Sequence, residues 1–192
     1  TQVRDVLASQ TLALEALKVR RIEVNGDLRP GVYAKDVILH IIKLLGAKGG
    51  IGFAYEYGGS LFDAFSMEER MTVCNMSVEA GARTGIMAPD SKTYSFLKDR
   101  PKSPKGKIWE EAMRYWDTLH SSEEAEFDRE IRLNVGELPP LVTWGTSPEQ
   151  VIRIDGKIPD PRSAPDAPHG KAWAEALAYM GLQAGQPIAG TR

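Results

Sequence analysis

The sequence is poor in three features that define whole classes of protein. It contains a single cysteine, Cys74, so an intrachain disulfide is excluded and a reducing cytoplasm is the expected compartment. It has no apolar run of about 18 residues and no signal-peptide pattern, which argues against a membrane-spanning helix. Its formal net charge of −2 gives no electrostatic reason to bind nucleic acid or an anionic membrane. We therefore expect a globular protein without nucleic-acid or membrane partners.

Along the chain, segments with the pattern of a strand alternate with segments that have the pattern of a helix. The chain has 192 residues, 42% of them hydrophobic, which is enough to bury a real core. A strand is predicted at Arg21 to Val24, before the turn pair Asn25-Gly26. From Ala34 to Leu45 the apolar residues share one face of a helix, and Asp36 and His40 lie on the opposite, solvent-facing side. These patterns predict an α/β fold, a mixed sheet flanked by helices.

Proline marks the organisation of the second half of the chain. Leu138-Pro139-Pro140 predicts a boundary, and four prolines between Ile158 and His169 predict a linker, because proline suits neither a helix interior nor an inner strand. A last helix is expected from His169 to Met180, with His169 in a capping role. We divide the chain into an α/β domain over residues 1–135 and, over residues 136–192, a Pro-rich connection with the start of a following domain.

Three further helices are predicted from periodicity and capping patterns. Apolar residues recur at helical spacing from Lys107 to Leu119, where Trp109 and Trp116 indicate a core or a subunit interface. Ser121 to Glu124 has the pattern of a capping box. Ser147, followed by proline, has the pattern of a helix N-cap.

The segment MTVCNMSVEAGARTGIMAPD places two polar side chains, Asn75 and Glu79, among mostly apolar residues. A capping box at Ser66 should begin this helix, and Gly85 is expected to end it. Asn75 and Glu79 are four residues apart, so they share one face of a helix. Because apolar residues surround them on both sides, the helix should be buried, and a buried carboxylate is a candidate for acid–base chemistry.

Two interpretations of Asn75 and Glu79 remain open on the residues alone. In the first, Glu79 is a functional acid or base. In the second, Glu79 pairs with Arg83 at i,i+4 and Asn75 holds a neighbouring loop, so both residues are structural.

Four long segments carry a resemblance to a known family. They are RIEVNGDLRPGVYAKDVIL, GGIGFAYEYGG, SMEERMTVCNMSVEAGARTGIMAPD and PLVTWGTSPEQV, and in this order they resemble the large subunits of the isopropylmalate dehydratases, within the aconitase family. The family usually has Gly where Glu69 stands. Its pattern C-N-M-x-x-E lines the active site, so the resemblance assigns catalytic roles to Asn75 and Glu79 and to no other residue here.

The resemblance implies a hydro-lyase that isomerises 2- and 3-isopropylmalate by dehydration and rehydration, a step of leucine biosynthesis. It also implies a [4Fe–4S] cluster, with Glu79 near the iron-bound water or hydroxyl, and a separate small subunit that supplies a catalytic serine. Such a cluster needs three cysteine ligands, and Cys74 is alone, so we expect no cofactor or metal ligand in this chain.

We therefore expect an internal part of a larger subunit that is inactive by itself. Two alternatives remain. One is a related hydro-lyase, such as a homoaconitase or a methylmalate-type dehydratase. The other is an interaction domain that kept the fold without the cluster.

Overall fold

The computed structural model describes residues 2–12 and 14–191. Seven α-helices and six strands are found in these residues, with three short 3₁₀ segments. The helices are α1 (Gln2–Ser9), α2 (Ala34–Leu45), α3 (Ser60–Ala64), α4 (Met67–Met76), α5 (Ser91–Leu97), α6 (Lys107–Trp116) and α7 (Ala167–Met180). The strands are β1 (Lys18–Asn25), β2 (Phe53–Gly58), β3 (Thr84–Met87), β4 (Arg129–Asn134), β5 (Leu141–Thr143) and β6 (Val151–Arg153), and the 3₁₀ segments are Ser77–Ala80, Asp117–Leu119 and Pro161–Ser163.

The main sheet has four strands in the order β3-β2-β1-β4, and every pair in it is parallel. Ile22 of β1 lies opposite Tyr57 on one side and Ile131 on the other. The antiparallel pairing is confined to a separate ribbon of β5 and β6. The α/β prediction is therefore confirmed, with β2 and β1 as the inner strands and β3 and β4 at the edges.

Helix α2 forms the centre of the main core against one face of this sheet. Its bounds agree with the predicted helix, and Gly46 follows it with φ +77°. Val37, Ile38 and Ile42 are fully buried. The prediction that Asp36 faces solvent is wrong, because this side chain is only 8% exposed and its two oxygens accept backbone hydrogen bonds.

Helix α4 packs beside α2, and its start is as predicted. Ser66 accepts a hydrogen bond from the Glu69 backbone N–H, and the Glu69 carboxylate accepts one from the Ser66 N–H. Its predicted end is wrong, because the α-helix stops at Met76 and the chain tightens into a 3₁₀ turn. Gly81, with φ +84°, ends that turn, while Gly85 lies in strand β3.

The second half of the chain has its own apolar cluster around Trp144, Ile158, Ala176, Leu177 and Ile188. The predicted last helix is present as α7, and Asp166 caps it by accepting from the His169 N–H. The division between residues 135 and 136 stays a prediction.

Two of the predicted helices are absent from the described residues. The chain from Ser121 to Glu124 is not helical. At Ser147 it forms a single turn, in which the Gln150 N–H donates to the Ser147 carbonyl and the Gln150 side chain accepts from the Ser147 N–H. The turn does not continue as a helix because the chain enters strand β6 at Val151, which pairs with β5. The predicted Pro-rich linker contains a short helical turn at Pro161–Ser163. Within residues 2–12 and 14–191, no helix combines the length and apolar character that crossing a membrane requires.

Candidate functional site

Glu79 lines a cleft of about 600 Å³ beside the first turn of α2. It lies in the 3₁₀ turn after α4 and is exposed. The other side of the cleft is formed by β5 and by the turn that follows it. The lining residues are Tyr33, Lys35, Asp36, Leu39, Met76, Glu79, Leu141–Thr143 and Gly145–Pro148.

Two acidic side chains hold the walls of this cleft together. Asp36 Oδ2 accepts from the Tyr33 N–H at 2.8 Å, which caps α2, and Asp36 Oδ1 accepts from the Leu141 N–H at 2.6 Å. Near the other end of α2, Glu149 Oε2 accepts from the Ala47 N–H at 2.7 Å. Because both contacts join distant parts of the chain, β5 and its following turn are fixed against α2.

The cleft contains groups that can bind and exchange protons with a small polar molecule. Glu79 supplies a carboxylate and Lys35 an ammonium group, and both residues are exposed. Thr143, Thr146 and Ser147 add hydroxyls that can donate or accept hydrogen bonds. Sequence reasoning missed Lys35 and these hydroxyls. The cluster of hydroxyl residues in TWGTSP was the available signal, and it was interpreted as a helix cap.

The structure does not bury Asn75 and Glu79 as the sequence predicted. Asn75 is exposed on α4, and it makes no side-chain hydrogen bond within the described part of the chain. Met71 and Val78, which the pattern placed on a buried stripe, are 40% and 57% exposed. The predicted burial was wrong because α4 and its 3₁₀ turn bury a different face, which includes polar side chains. The buried residues are Arg70, Val73, Ser77 and Ala80.

The structural alternative for Glu79 is not found either. No ion pair joins Glu79 to Arg83 among residues 2–12 and 14–191, and the Arg83 backbone N–H is used by the Phe53 carbonyl. Glu79 therefore lies in the cleft as an exposed carboxylate, whereas Asn75 is one helical turn away and outside the cleft lining.

The donor set of this chain does not fit an iron–sulfur cluster. Cys74 is half-buried, and burial raises the pKa of its thiol to about 11, despite the nearby positive charge of Arg70. Metal-bound cysteines are thiolates, and a cluster needs several of them. Within the described ranges there is also no group of three His, Cys, Asp or Glu side chains placed to hold a metal ion.

A second crevice, of about 400 Å³, lies near the carboxyl ends of β2 and β3. Parallel sheets often bind ligands at this edge. Here the charged groups bind one another: Arg21 Nη1 lies 2.6 Å from Glu56 Oε1, and the Ser121 hydroxyl lies 2.9 Å from both Glu56 oxygens. We therefore assign the candidate site to the Glu79 cleft.

Comparison with known proteins identifies the family. The model of the aconitase family (aconitate hydratase) matches residues 1–192. The chain is 59% identical over 192 residues to proteins named 3-isopropylmalate dehydratase large subunit from Picosynechococcus and from Opitutus terrae, and 54% identical to the one from Sorangium cellulosum. Each match covers all of this chain and 41% of the relative, so the chain spans about two fifths of the relatives' length. The chain therefore belongs to the aconitase family.

Proposed function

We propose that this chain is part of a hydro-lyase that interconverts 2- and 3-isopropylmalate by dehydration and rehydration in leucine biosynthesis. The relatives that match the whole chain carry the name of a dehydratase large subunit. The observation in the structure that carries the proposal is the position of Glu79, an exposed carboxylate in a cleft with a lysine and three hydroxyls.

The proposed enzyme includes components that this chain does not supply. We propose a [4Fe–4S] cluster whose ligands come from other parts of the complete subunit, because Cys74 is alone and its thiol is protonated at neutral pH. We also propose a small subunit as partner, in the cytoplasm. Without these components the chain is expected to have no activity.

In this proposal Glu79 handles a proton during removal or return of water. Its carboxylate can accept a proton from a substrate or water oxygen and give it back in the reverse direction. Asn75, one turn earlier on α4 and outside the cleft lining, provides an exposed amide that can hydrogen-bond a group supplied by the other components of the enzyme. Lys35 can attract the carboxylates of a hydroxyacid substrate to the cleft.

The test is a pair of substitutions in the complete large subunit assembled with its small subunit. Glu79→Gln keeps the size of the side chain and removes its charge, so kcat should fall by about 10²-fold or more while KM changes little. Glu68→Gln is the matched control, since Glu68 is an exposed glutamate at the other end of α4, outside the cleft, and kcat should not change.

Activity should be measured with isopropylmalate and with homologous hydroxyacids. If both variants keep wild-type kcat, Glu79 has no part in the chemistry. If the wild type prefers another hydroxyacid, the substrate in the proposal is wrong, although the hydro-lyase chemistry remains.

A further inference from the structure

The chain at the end of α4 changes its hydrogen-bonding pattern at Ser77, two residues before Glu79. In a continuing α-helix the Ser77 N–H would donate to the Val73 carbonyl. Here it donates to the Cys74 carbonyl, three residues back, and the Ser77 hydroxyl donates to the Val73 carbonyl at 3.0 Å. A side chain has therefore replaced the backbone as the donor, and the chain continues as a 3₁₀ turn.

The Ser77 hydroxyl is held in this position by the sheet. Tyr57 of β2 lies with its hydroxyl 2.7 Å from Ser77 Oγ. Because a hydroxyl has one proton and Ser77 gives its own to Val73, Tyr57 must be the donor to Ser77. Tyr57 is 2% exposed and Ser77 fully buried, and burial raises the pKa of Tyr57, so its proton stays in place.

The surrounding residues leave little room for another position of the Ser77 hydroxyl. A Cβ at Gly85 of β3 would collide with Ser77 Oγ, so the close approach of β3 requires glycine there. After the turn, the Ala82 N–H donates to the Ser77 carbonyl and the Gly50 N–H to the Ala80 carbonyl. The turn is thus fixed at both of its ends.

This change of helix type determines the direction in which Glu79 points. A 3₁₀ turn rotates about 120° per residue, against about 100° in an α-helix. Two or three residues of 3₁₀ geometry therefore turn Glu79 by roughly 40–60° from the direction that a continued α-helix would impose. Neither Tyr57 nor Ser77 lines the Glu79 cleft, so their effect on it is indirect.

We propose that Tyr57 and Ser77 are positioning residues, which hold the 3₁₀ turn and so direct the Glu79 carboxylate into the cleft. This inference rests on the function proposed for Glu79. Tyr57→Phe removes the donor that holds Ser77, and Ser77→Ala removes the hydroxyl that displaces the backbone bond. Each should allow the turn to relax toward an α-helix and rotate the Glu79 carboxylate away from its position in the cleft. A misplacement of only about 1 Å can already cost 10²-fold in rate.

The experiment measures kcat and KM of these variants in the complete two-subunit enzyme. Tyr57→Phe and Ser77→Ala should each lower kcat about 10-fold or more with little change in KM, and the double variant should be no worse than the poorer single one, because the pair acts as a unit. Tyr55→Phe is the matched control: it removes a buried hydroxyl from the same strand, and that hydroxyl lies beside Arg20 and makes no hydrogen bond to Ser77. Its kcat should stay within about twofold of the wild type.

A second arm separates positioning from general damage. In a Glu79→Gln background, adding Tyr57→Phe should lower kcat no further, because there is no carboxylate left to position. A further 10-fold loss there, or equal losses in Tyr57→Phe and Tyr55→Phe, would overturn the proposal.

Crystal structures of the complete subunit test the inference independently of activity. In Ser77→Ala the Ser77 position should donate its N–H to the Val73 carbonyl, and the Glu79 carboxylate should move. If the 3₁₀ turn is unchanged in both Tyr57→Phe and Ser77→Ala, the positioning role is wrong, even if the enzyme is a dehydratase. If the turn relaxes as expected but the wild type has no dehydratase activity, the proposed function fails and the control of the turn by Tyr57 and Ser77 remains.

Discussion

Helices α2 and α4 pack side by side in the same core, yet different interactions hold them. Six of the seven buried residues of α2 are apolar: Ala34, Val37, Ile38, Leu39, Ile41 and Ile42. Helix α4 buries only Arg70 and Val73. Its position depends on a capping box at Ser66, on the hydrogen bonds of Arg70, and on the Tyr57–Ser77 pair at its end.

The difference matters for Glu79, which lies in the 3₁₀ turn that follows α4. An amphipathic helix such as α2 is stabilised by apolar area, which is insensitive to small rotations about the helix axis. Hydrogen bonds are directional, so a helix held by them has a defined rotation and a defined end. The role proposed for Glu79 requires the second kind of support, because its carboxylate would have to meet a substrate in a fixed direction.

The largest effect is expected from opening a cavity under α2. Ile42 is fully buried, so Ile42→Ala should lower the free energy of unfolding by about 2–5 kcal/mol. Leu44, two residues further and 54% exposed, is the control, and Leu44→Ala should change stability by no more than about 0.5 kcal/mol. Urea unfolding of both variants measures the difference, and similar values for the two would show that α2 does not depend on its buried face.

A smaller loss of stability is expected from replacing Arg70, the buried charged side chain of α4. Arg70 is 5% exposed, donates to the Phe62 carbonyl at 3.0 Å, and pairs with Asp90 at 2.6 Å. Arg70→Met keeps the length of the side chain but leaves these acceptors unpaired, at a cost of about 2–3 kcal/mol. Arg132→Met, which removes the ion pairs of an exposed arginine with Glu23 and Glu130, should cost at most about 1 kcal/mol.

The ion pair between Arg70 and Asp90 makes the free energy of unfolding depend on pH. Burial alone would raise the pKa of Asp90, but the hydrogen bonds from Arg70 and Thr93 outweigh it and lower this pKa to about 2, from an ordinary value of 3.8. The pair therefore contributes fully above about pH 4 and is lost as the pH falls toward 2. Wild-type stability should fall across this range, and Arg70→Met should show a shallower fall. Parallel pH curves for the two proteins would contradict the assignment.

The smallest effect is expected at the start of α4. Ser66→Ala removes the side-chain acceptor of the capping box and should cost about 1 kcal/mol. Ser95 is an exposed serine inside α5 and serves as the control, because Ser95→Ala removes no cap. Thermal unfolding of the two variants gives the comparison, and no loss in Ser66→Ala would mean that the cap does not define where α4 begins.

The parts of the fold that were predictable are those in which local chemistry and tertiary packing agree. The apolar periodicity of α2 matched the face that the sheet buries, and Gly46 matched its end. The capping box at Ser66 needed only residues within four positions of each other. The pattern at Ser147 failed for the opposite reason, because pairing of Val151 and Ile152 with β5 places the following residues in a strand, although the local capping contact from Gln150 is present.

The sequence by itself determined the family, the α/β alternation, the ends of α2 and the two candidate residues, because these depend on local periodicity and on long matched segments. Only the tertiary structure decided which way Glu79 faces and what surrounds it. Leu141 reaches Asp36 across 105 positions of the chain, and Tyr57 reaches Ser77 across 20. No local pattern encodes such contacts, because each hydrogen bond forms only after the sheet has brought its two partners together.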